Sequence, residues 1–184
     1  NFYKQNHHLA APPFSVAQQE TISTLSDSFV EVQLHDDGMA YLSIEQPGTY
    51  HLNSKMGNGE GVAFFRFSDG FPGVSNPEEM IGPLRYITTK REYSEMNLFD
   101  DKKVAVDNFW LNITGNPDRG RKMIKQFYNR VRASNIYFSS YLEGWKSDRG
   151  MIYIVYGPPD VVYRNTNAEN WIYGEEFLEF YLSD

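Results

Sequence analysis

The segment that most constrains this fold is residues 144–160, GWKSDRGMIYIVYGPPD. It contains two glycines, Gly144 and Gly150, followed by an uncharged run at residues 151–156. Gly144 and Gly150 lack a Cβ and tolerate positive φ, so each is a place where one element ends and the next begins. Residues 151–156 (MIYIVY) are mostly β-branched or aromatic, which is typical of a buried strand. The segment is therefore predicted to contain a tight turn followed by a central strand.

The predicted strand ends at a rigid exit, Gly157-Pro158-Pro159-Asp160. Each proline lacks an amide donor and fixes φ near about −65°, so Pro158 and Pro159 end the strand. Asp160 is expected to cap this exit by accepting hydrogen bonds from nearby backbone groups. We expect these four residues to serve the architecture of the protein.

The length and composition of the chain limit which functions are possible. The chain has 184 residues, which suits one domain of ordinary size or two small ones. A net charge of −7 argues against a general affinity for nucleic acid, which requires clustered Lys and Arg. The absence of Cys excludes disulfides, zinc–thiolate sites and thiol catalysis. Because the chain begins with Asn and not Met, we expect a processed protein or a piece of a longer one.

The first half of the chain is predicted to be rich in strands. Residues 1–13 have little periodic pattern and are expected to form an extended arm or linker, followed by a β-rich domain over residues 14–103. Asp36-Asp37-Gly38 predicts a hairpin turn. Short strands separated by turns indicate an antiparallel β sandwich-like region. The predicted strands are residues 29–34, 39–44, 49–52 and 62–67.

Mixed signals follow this β-rich part. Asn76 and Pro77 suit an N-cap and the first helical position, so a short helical turn is predicted there. Residues 84–89 (LRYITT) predict a strand, and residues 90–99 a short helix. Residues 104–111 (VAVDNFWL) alternate weakly, as the residues of a strand do.

The strongest helix signal begins at Asn116, a favourable N-cap followed by Pro117 and Asp118. Apolar residues then recur at helical spacing, which predicts one long helix. We interpret the basic opposite face as a solvated surface that interacts with the protein's own acids, the alternative being contact with an acidic protein or anionic lipid head groups. Its basic residues are Arg119, Arg121, Lys122, Lys125 and Arg132.

The chain after the proline exit is predicted to form strands at residues 161–164 and 170–173 and an edge strand at residues 174–181. Residues 104–184 would then form a second domain, in which the long helix packs on a mixed or antiparallel sheet. The predicted fold class of the whole chain is α+β.

From residue 109 to residue 173 the order of features resembles the GWxTD-domain family, found in envelope proteins of Gram-negative bacteria. Ser147 stands where the family name has Thr, a change that keeps the hydroxyl and loses a methyl group. The resemblance implies a secreted or lipid-anchored protein of the cell envelope, and it implies no catalytic residues. It is carried by Phe109-Trp110, Tyr128, Arg130, Val131, Asn135, Phe138, residues 144–150 and 153–160, and Trp171-Ile172-Tyr173.

Most residues of this motif are assigned a structural role. Asp148 is expected to cap the turn or to accept a hydrogen bond from Arg130 or Arg149. Trp145 is expected to seal the helix against the sheet. The residues given this structural assignment are Gly144, Trp145, Asp148, Arg149, Gly150, Gly157, Pro158, Pro159, Asp160, Arg130 and Trp171.

Two alternatives stand beside this assignment. Asp148 and Asp160 would suit a carboxylate-dependent hydrolase, with Trp145 and Trp171 as stacking platforms for sugars. The same tryptophans or Tyr163, if exposed, would suit a glycan- or peptide-binding module. Solvent exposure of the side chains and the separation of the two carboxylates distinguish these alternatives.

The sequence therefore predicts a non-catalytic interaction or assembly module of a bacterial cell-envelope protein or complex, located in the periplasm or at the outer membrane. Other envelope proteins are the expected partners, and no nucleic acid, cofactor, metal ion or small-molecule substrate is expected. No apolar run approaches the roughly 20 residues that span a bilayer, so membrane association is expected only through a lipid anchor or a partner.

Overall fold

The computed structural model describes residues 1–4, 25–54 and 61–181. Five α-helices, six β-strands and a one-turn 3-10 helix at Gly144–Lys146 lie in these ranges. The helices are α1 Pro77–Leu84, α2 Lys90–Leu98, α3 Lys102–Thr114, α4 Pro117–Phe138 and α5 Asp148–Tyr156. The strands are β1 Phe2–Tyr3, β2 Gly48–Asn53, β3 Gly61–Arg66, β4 Val161–Arg164, β5 Ala168–Tyr173 and β6 Glu176–Tyr181.

The N-terminal sheet is antiparallel, with the strand order β1-β2-β3. Tyr50 of β2 pairs with Phe64 of β3, and their rings stack with centroids 5.6 Å apart. The strands predicted at residues 49–52 and 62–67 are thus confirmed, with a shift of one residue at the second. Of the predicted arm, residues 2 and 3 form β1, and residues 5–13 lie outside the described residues.

The strands predicted at residues 29–34 and 39–44 are wrong, although the turn between them is present. The His35 amide donates to the Met39 carbonyl at 2.8 Å, and Gly38 has a φ of 78°. Alternation predicts a strand only where a neighbouring strand and a covering layer are available. The side chains of Phe29 and Tyr41 are exposed, and in the described part of this region one three-stranded sheet is found instead of the predicted sandwich.

Short polar side chains begin each of the first four helices. The Asn76 side chain accepts a hydrogen bond from the Glu79 amide at 2.8 Å, and Thr89 forms a capping box at the start of α2. Asp101 caps α3, and Asn116 caps α4. The predicted helix starts at Asn76, residue 90 and Asn116 are therefore confirmed.

Three segments predicted as strands are helical or part of a turn. Residues 104–111 lie in α3 and residues 151–156 in α5, whereas residues 84–89 form the end of α1 and the turn after it. In these three segments, helix capping and the burial of one helix face outweigh the β propensity of the individual residues. In α5, for example, Ile154 is buried in the core and Tyr156 is exposed.

The helices share one hydrophobic core. Trp110 of α3 contacts Phe127 of α4 edge to face, with ring centroids 5.4 Å apart. Leu84, which precedes the predicted domain boundary at residue 103 in the sequence, belongs to the same cluster. The predicted domain boundary at residues 103 and 104 stays a prediction. The buried members are Ile81, Leu84, Tyr86, Met96, Ala105, Val106, Trp110, Phe127, Val131 and Ile154.

The C-terminal sheet is antiparallel, with β5 between β4 and β6. Trp171 in the middle strand is 1% exposed and contacts Phe138 at the end of α4, with ring centroids 5.4 Å apart. The α+β class and the antiparallel sheet are confirmed. The prediction of one long helix is not: α4 is the longest of five helices in the described part of the chain.

Replacement of Leu84 by Ala tests this core. Leu84 is 0% exposed, so Leu84→Ala should lower the free energy of unfolding by about 2–5 kcal/mol, through lost burial and the cavity that remains. The matched control is Leu98→Ala at the end of α2, where the side chain is 82% exposed and the expected change is below about 0.5 kcal/mol. Urea unfolding measures both values, and equal losses would contradict the described core.

Candidate functional site

The turn between α4 and α5 brings three backbone segments into direct contact. A Cβ on Gly144 would overlap the carbonyl oxygen of Ser134 in α4, and a Cβ on Gly150 would overlap the carbonyl oxygen of Gly144. Only glycine allows this approach. The Ser134 hydroxyl donates to the Gly150 carbonyl at 3.3 Å. The two glycines thus join α4, the 3-10 turn and α5.

Ser147 begins α5. Its hydroxyl accepts a hydrogen bond from the Gly150 amide at 3.1 Å and donates one to the Gly144 carbonyl at 2.7 Å. Asp148 follows in the first turn of α5, where its exposed carboxylate interacts favourably with the positive end of the helix dipole. The hydroxyl in the resemblance motif is therefore an N-cap.

Trp145 connects this turn to α1 and α4. Its amide donates to the Asn135 side chain at 3.1 Å, and its carbonyl accepts from the Tyr86 hydroxyl at 3.0 Å. The Trp145 ring covers Gly82 of α1, where a Cβ would lie 3.0 Å from the indole. Burial raises the pKa of the Tyr86 hydroxyl above its usual value, despite the opposing charge of Arg85, so Tyr86 remains a neutral donor.

Arg130 caps the other end of α5. One guanidinium nitrogen donates to the carbonyls of Ile154 at 3.1 Å and Val155 at 3.0 Å. Gly157 has a φ of 92°, and a Cβ there would lie 2.8 Å from the Arg130 guanidinium. Gly157 is thus required both by its backbone conformation and by the space that Arg130 fills.

Asp160 lies at the C-terminal sheet. Its carboxylate accepts a hydrogen bond from the Gly174 amide at 2.8 Å, in the turn between β5 and β6. Pro158 and Pro159 separate it from the end of α5. Asp148 and Asp160 lie at opposite ends of α5, a helix of nine residues. At 1.5 Å per residue this helix is about 13 Å long, and the described contacts of the two carboxylates have no partner in common. These contacts give no support to the hydrolase alternative, which needs a close carboxylate pair.

Arg149 pairs with Glu169 of β5 and not with Asp148, the partner that the sequence suggested. Glu169 is 2% exposed, and its carboxylate accepts from Trp171 Nε1 at 2.7 Å, Arg164 Nε at 2.9 Å and Arg149 Nη1 at 3.2 Å. Burial alone would raise the pKa of Glu169, but these donors and the two arginine charges hold it below its usual value. The sequence signal for this cluster was the spacing of Glu169 and Trp171, which lie two residues apart in a strand and therefore on the same face of the sheet.

The three aromatic residues proposed to stack on a ligand differ in solvent exposure. Trp171 is buried and Trp145 is half-buried, whereas Tyr163 of β4 is 59% exposed. In the glycan-binding alternative, only Tyr163 would offer an open ring. Within the described ranges no group of three His, Asp or Glu residues could hold a metal ion, and no helix is long and apolar enough to cross a membrane.

The fold and the turn define a class of protein: a small α+β module whose long helix, 3-10 turn and following helix are joined through Gly144 and Gly150. The family model of the GWxTD domain matches residues 48–181. The chain belongs to the GWxTD-domain family. The match begins at β2 and includes β3, α1 and α2, which lie upstream of residue 109, where the resemblance begins. No curated protein and no solved structure matches the chain significantly.

A methyl group at Gly150 tests the close contact of the turn. Gly150→Ala should lower the free energy of unfolding by about 3 kcal/mol or more, because α5 must move away from the Gly144 carbonyl. The control is Gly120→Ala in α4, where a Cβ would lie 3.3 Å from the Thr114 hydroxyl and the expected change is below about 1 kcal/mol. Thermal and urea unfolding measure both, and a neutral Gly150→Ala would refute the contact.

Replacement of Glu169 by Gln tests the charged cluster. Near neutral pH, Glu169→Gln should lower the free energy of unfolding by about 1–3 kcal/mol, since charge-assisted hydrogen bonds are lost. A carboxyl whose folded pKa is depressed contributes fully above its unfolded pKa of about 4.3 and loses the contribution as pH falls through the folded value.

The difference between the native protein and Glu169→Gln should therefore be largest above about pH 5 and should shrink under more acidic conditions. Urea unfolding as a function of pH measures it. Glu95→Gln, at an exposed ion pair on α2, is the control and should change the unfolding free energy by less than about 0.5 kcal/mol. A difference that does not vary with pH would contradict the described cluster.

Proposed function

We propose that the chain is a non-catalytic interaction module of a bacterial cell-envelope protein or complex, and that the outward face of its C-terminal sheet contacts another envelope protein. Family membership supports the envelope context. The motif that defines the family is occupied by internal contacts: the two glycines pack backbone on backbone, Ser147 caps α5 and Trp145 hydrogen-bonds Asn135. The motif is therefore structural, and the proposed partner contact lies on the surface that the motif supports.

The single observation that carries the proposal is the apolar outward face of the C-terminal sheet. Trp171 and Glu169 point toward the helices, so the residues that alternate with them point away. The pairing register aligns Val161, Ile172 and Phe177 in one row across the three strands on this outward side. Tyr163 lies in the next row. Phe177 and Tyr163 are each 59% exposed.

The chemistry of this face defines the partner. The row of Val161, Ile172 and Phe177 is apolar, whereas the next row places Asn170 and the exposed Glu179 beside Tyr163. Two further exposed acids, Glu175 and Glu176, border the face at the turn before β6 and at the start of β6. A contiguous apolar patch with a polar rim is typical of a protein interface, and Tyr and Phe are enriched at such interfaces. The complementary surface is apolar and bordered by Lys or Arg. Membrane association would come through a lipid anchor or through this partner.

Site-specific photocrosslinking in living bacteria tests the proposal. A benzophenone amino acid at position 163 or 177 should give the same discrete adduct, and one at Asn112, exposed on α3, should give none. Mass spectrometry identifies the adduct. With the purified partner, Phe177→Arg should weaken binding at least about 10-fold, because a central apolar anchor is lost, whereas Asn112→Arg should not.

Two results would contradict this function. One is the absence of any adduct at positions 163 and 177 in cells that contain the folded protein. The other is equal crosslinking at all three positions, which would indicate random collision and not a defined surface. Circular dichroism of Phe177→Arg, whose parent side chain is exposed, serves as the check that the variant folds.

A further inference from the structure

Six of the seven residues that line a shallow groove between α4 and α5 carry a hydrogen-bond donor on the side chain. The groove has a volume of about 440 Å³, within the usual range of ligand sites. It lies on the opposite side of α4 from the core-facing Phe127 and Val131, and two of its lining residues, Arg130 and Tyr153, are among those that carry the family resemblance. The lining residues are Lys122, Lys125, Gln126, Asn129, Arg130, Ala133 and Tyr153.

The sequence of α4 places these donors on one face. Lys122, Gln126, Asn129 and Ala133 recur at intervals of three or four residues, so they form a continuous stripe along the helix. Lys125 borders that stripe, one turn before Asn129. The described residues that line the groove include no carboxylate, although the chain as a whole has a net charge of −7. The groove is thus a cationic site on an acidic protein.

The two lysines of the groove have no acidic partner among the described residues. Lys122 and Lys125 form no ion pair or hydrogen bond through their side chains within the described residues, in contrast to Arg121, which pairs with Asp118 at 2.9 Å. Both lysines belong to the basic face for which the sequence predicted contact with the protein's own acids, and no such contact involves them within the described residues. Both lysines line the same concave surface.

Arg130 fixes the inner end of the groove. Its contacts with the Ile154 and Val155 carbonyls hold the guanidinium in place at the C-terminus of α5. The helix dipole there corresponds to about half a negative charge, so about half of the arginine charge stays uncompensated. No carboxylate in the described part of the chain forms an ion pair with Arg130. The guanidinium is a pre-oriented, partly buried cation.

Tyr153 of α5 forms the opposite wall. Its ring packs against Phe138 and Trp171, with centroid distances of 5.7 Å and 6.4 Å, and its hydroxyl has no hydrogen-bond partner within the described ranges. Burial raises the pKa of this hydroxyl, so it remains a proton donor at neutral pH. Asn129 and Gln126 add amide donors on α4.

We propose that this groove binds a phosphate group of a ligand. Three cations with no acid among them match a phosphate monoester, which carries a charge of about −1.5 to −2 near neutral pH, better than they match a single carboxylate. The ammonium, guanidinium, amide and phenol donors suit the several oxygens of that group. The groove volume leaves room for part of the molecule that carries the phosphate.

The test uses inorganic phosphate as the soluble probe and phosphatidylcholine vesicles with and without phosphatidic acid as the lipid probe. Proton–nitrogen NMR of the whole chain should give saturable shifts that concentrate at residues 122–133 and at Tyr153. Lys122→Ala combined with Lys125→Ala should weaken binding at least about 10-fold, because two charge-assisted contacts are removed.

The matched control is Arg119→Ala combined with Arg132→Ala. These exposed residues also lie on α4, and their loss changes the net charge by the same amount, but neither lines the groove. The control should weaken binding by less than about 2-fold. Tyr153→Phe, which removes only the hydroxyl, should give an intermediate loss. Arg130 is left unchanged because it also caps α5.

The outcomes separate the sources of the phosphate. Saturable binding of inorganic phosphate that depends on Lys122 and Lys125 supports the site and favours a soluble ligand. Binding only to vesicles with phosphatidic acid, with the same dependence, supports it and favours a lipid head group. The proposal is overturned if neither probe binds, if both double variants weaken binding equally, or if a glutamate-rich peptide binds and neither phosphate probe does.

Discussion

The contact of backbone with backbone at Gly144 and Gly150 is the constraint on which the rest of the structure depends. Because neither residue has a Cβ, the Ser134 carbonyl of α4, the 3-10 turn and the first turn of α5 lie within van der Waals distance. Such close approach fixes the direction in which α5 leaves the turn. It also aligns the backbone groups that Ser147 and Ser134 hydrogen-bond.

The direction of α5 in turn determines how the C-terminal sheet is attached. The start of α5 carries Arg149 toward Glu169 of the sheet, and its end is capped by Arg130 beside Gly157. Glu169 and Trp171 therefore face the helices, which leaves the alternating residues of the same strands facing outward. The apolar face and the cationic groove thus have a common origin: both depend on the placement of α5 against α4.

The sequence predicted elements well where a local signal was sufficient. Asn76 and Asn116 cap helices because their side chains satisfy backbone amides a few residues away, and this chemistry needs no distant partner. The strands of the C-terminal sheet were predicted equally well from short alternating runs between turns. The strand prediction for residues 151–156 was wrong because their β-branched composition is compatible both with a buried strand and with one buried face of a helix.

By itself, the sequence determined the α+β class, the family, the helix caps and the structural use of glycine around residue 150, since each depends on local chemistry or on the order of uncommon residues. Only the tertiary structure decided that Arg149 binds Glu169 and not Asp148, that Asp160 accepts a hydrogen bond from the Gly174 amide, and that Trp171 is buried. The reason is physical: these facts depend on how α5 and the sheet are oriented in space, and residue spacing along the chain does not encode that orientation.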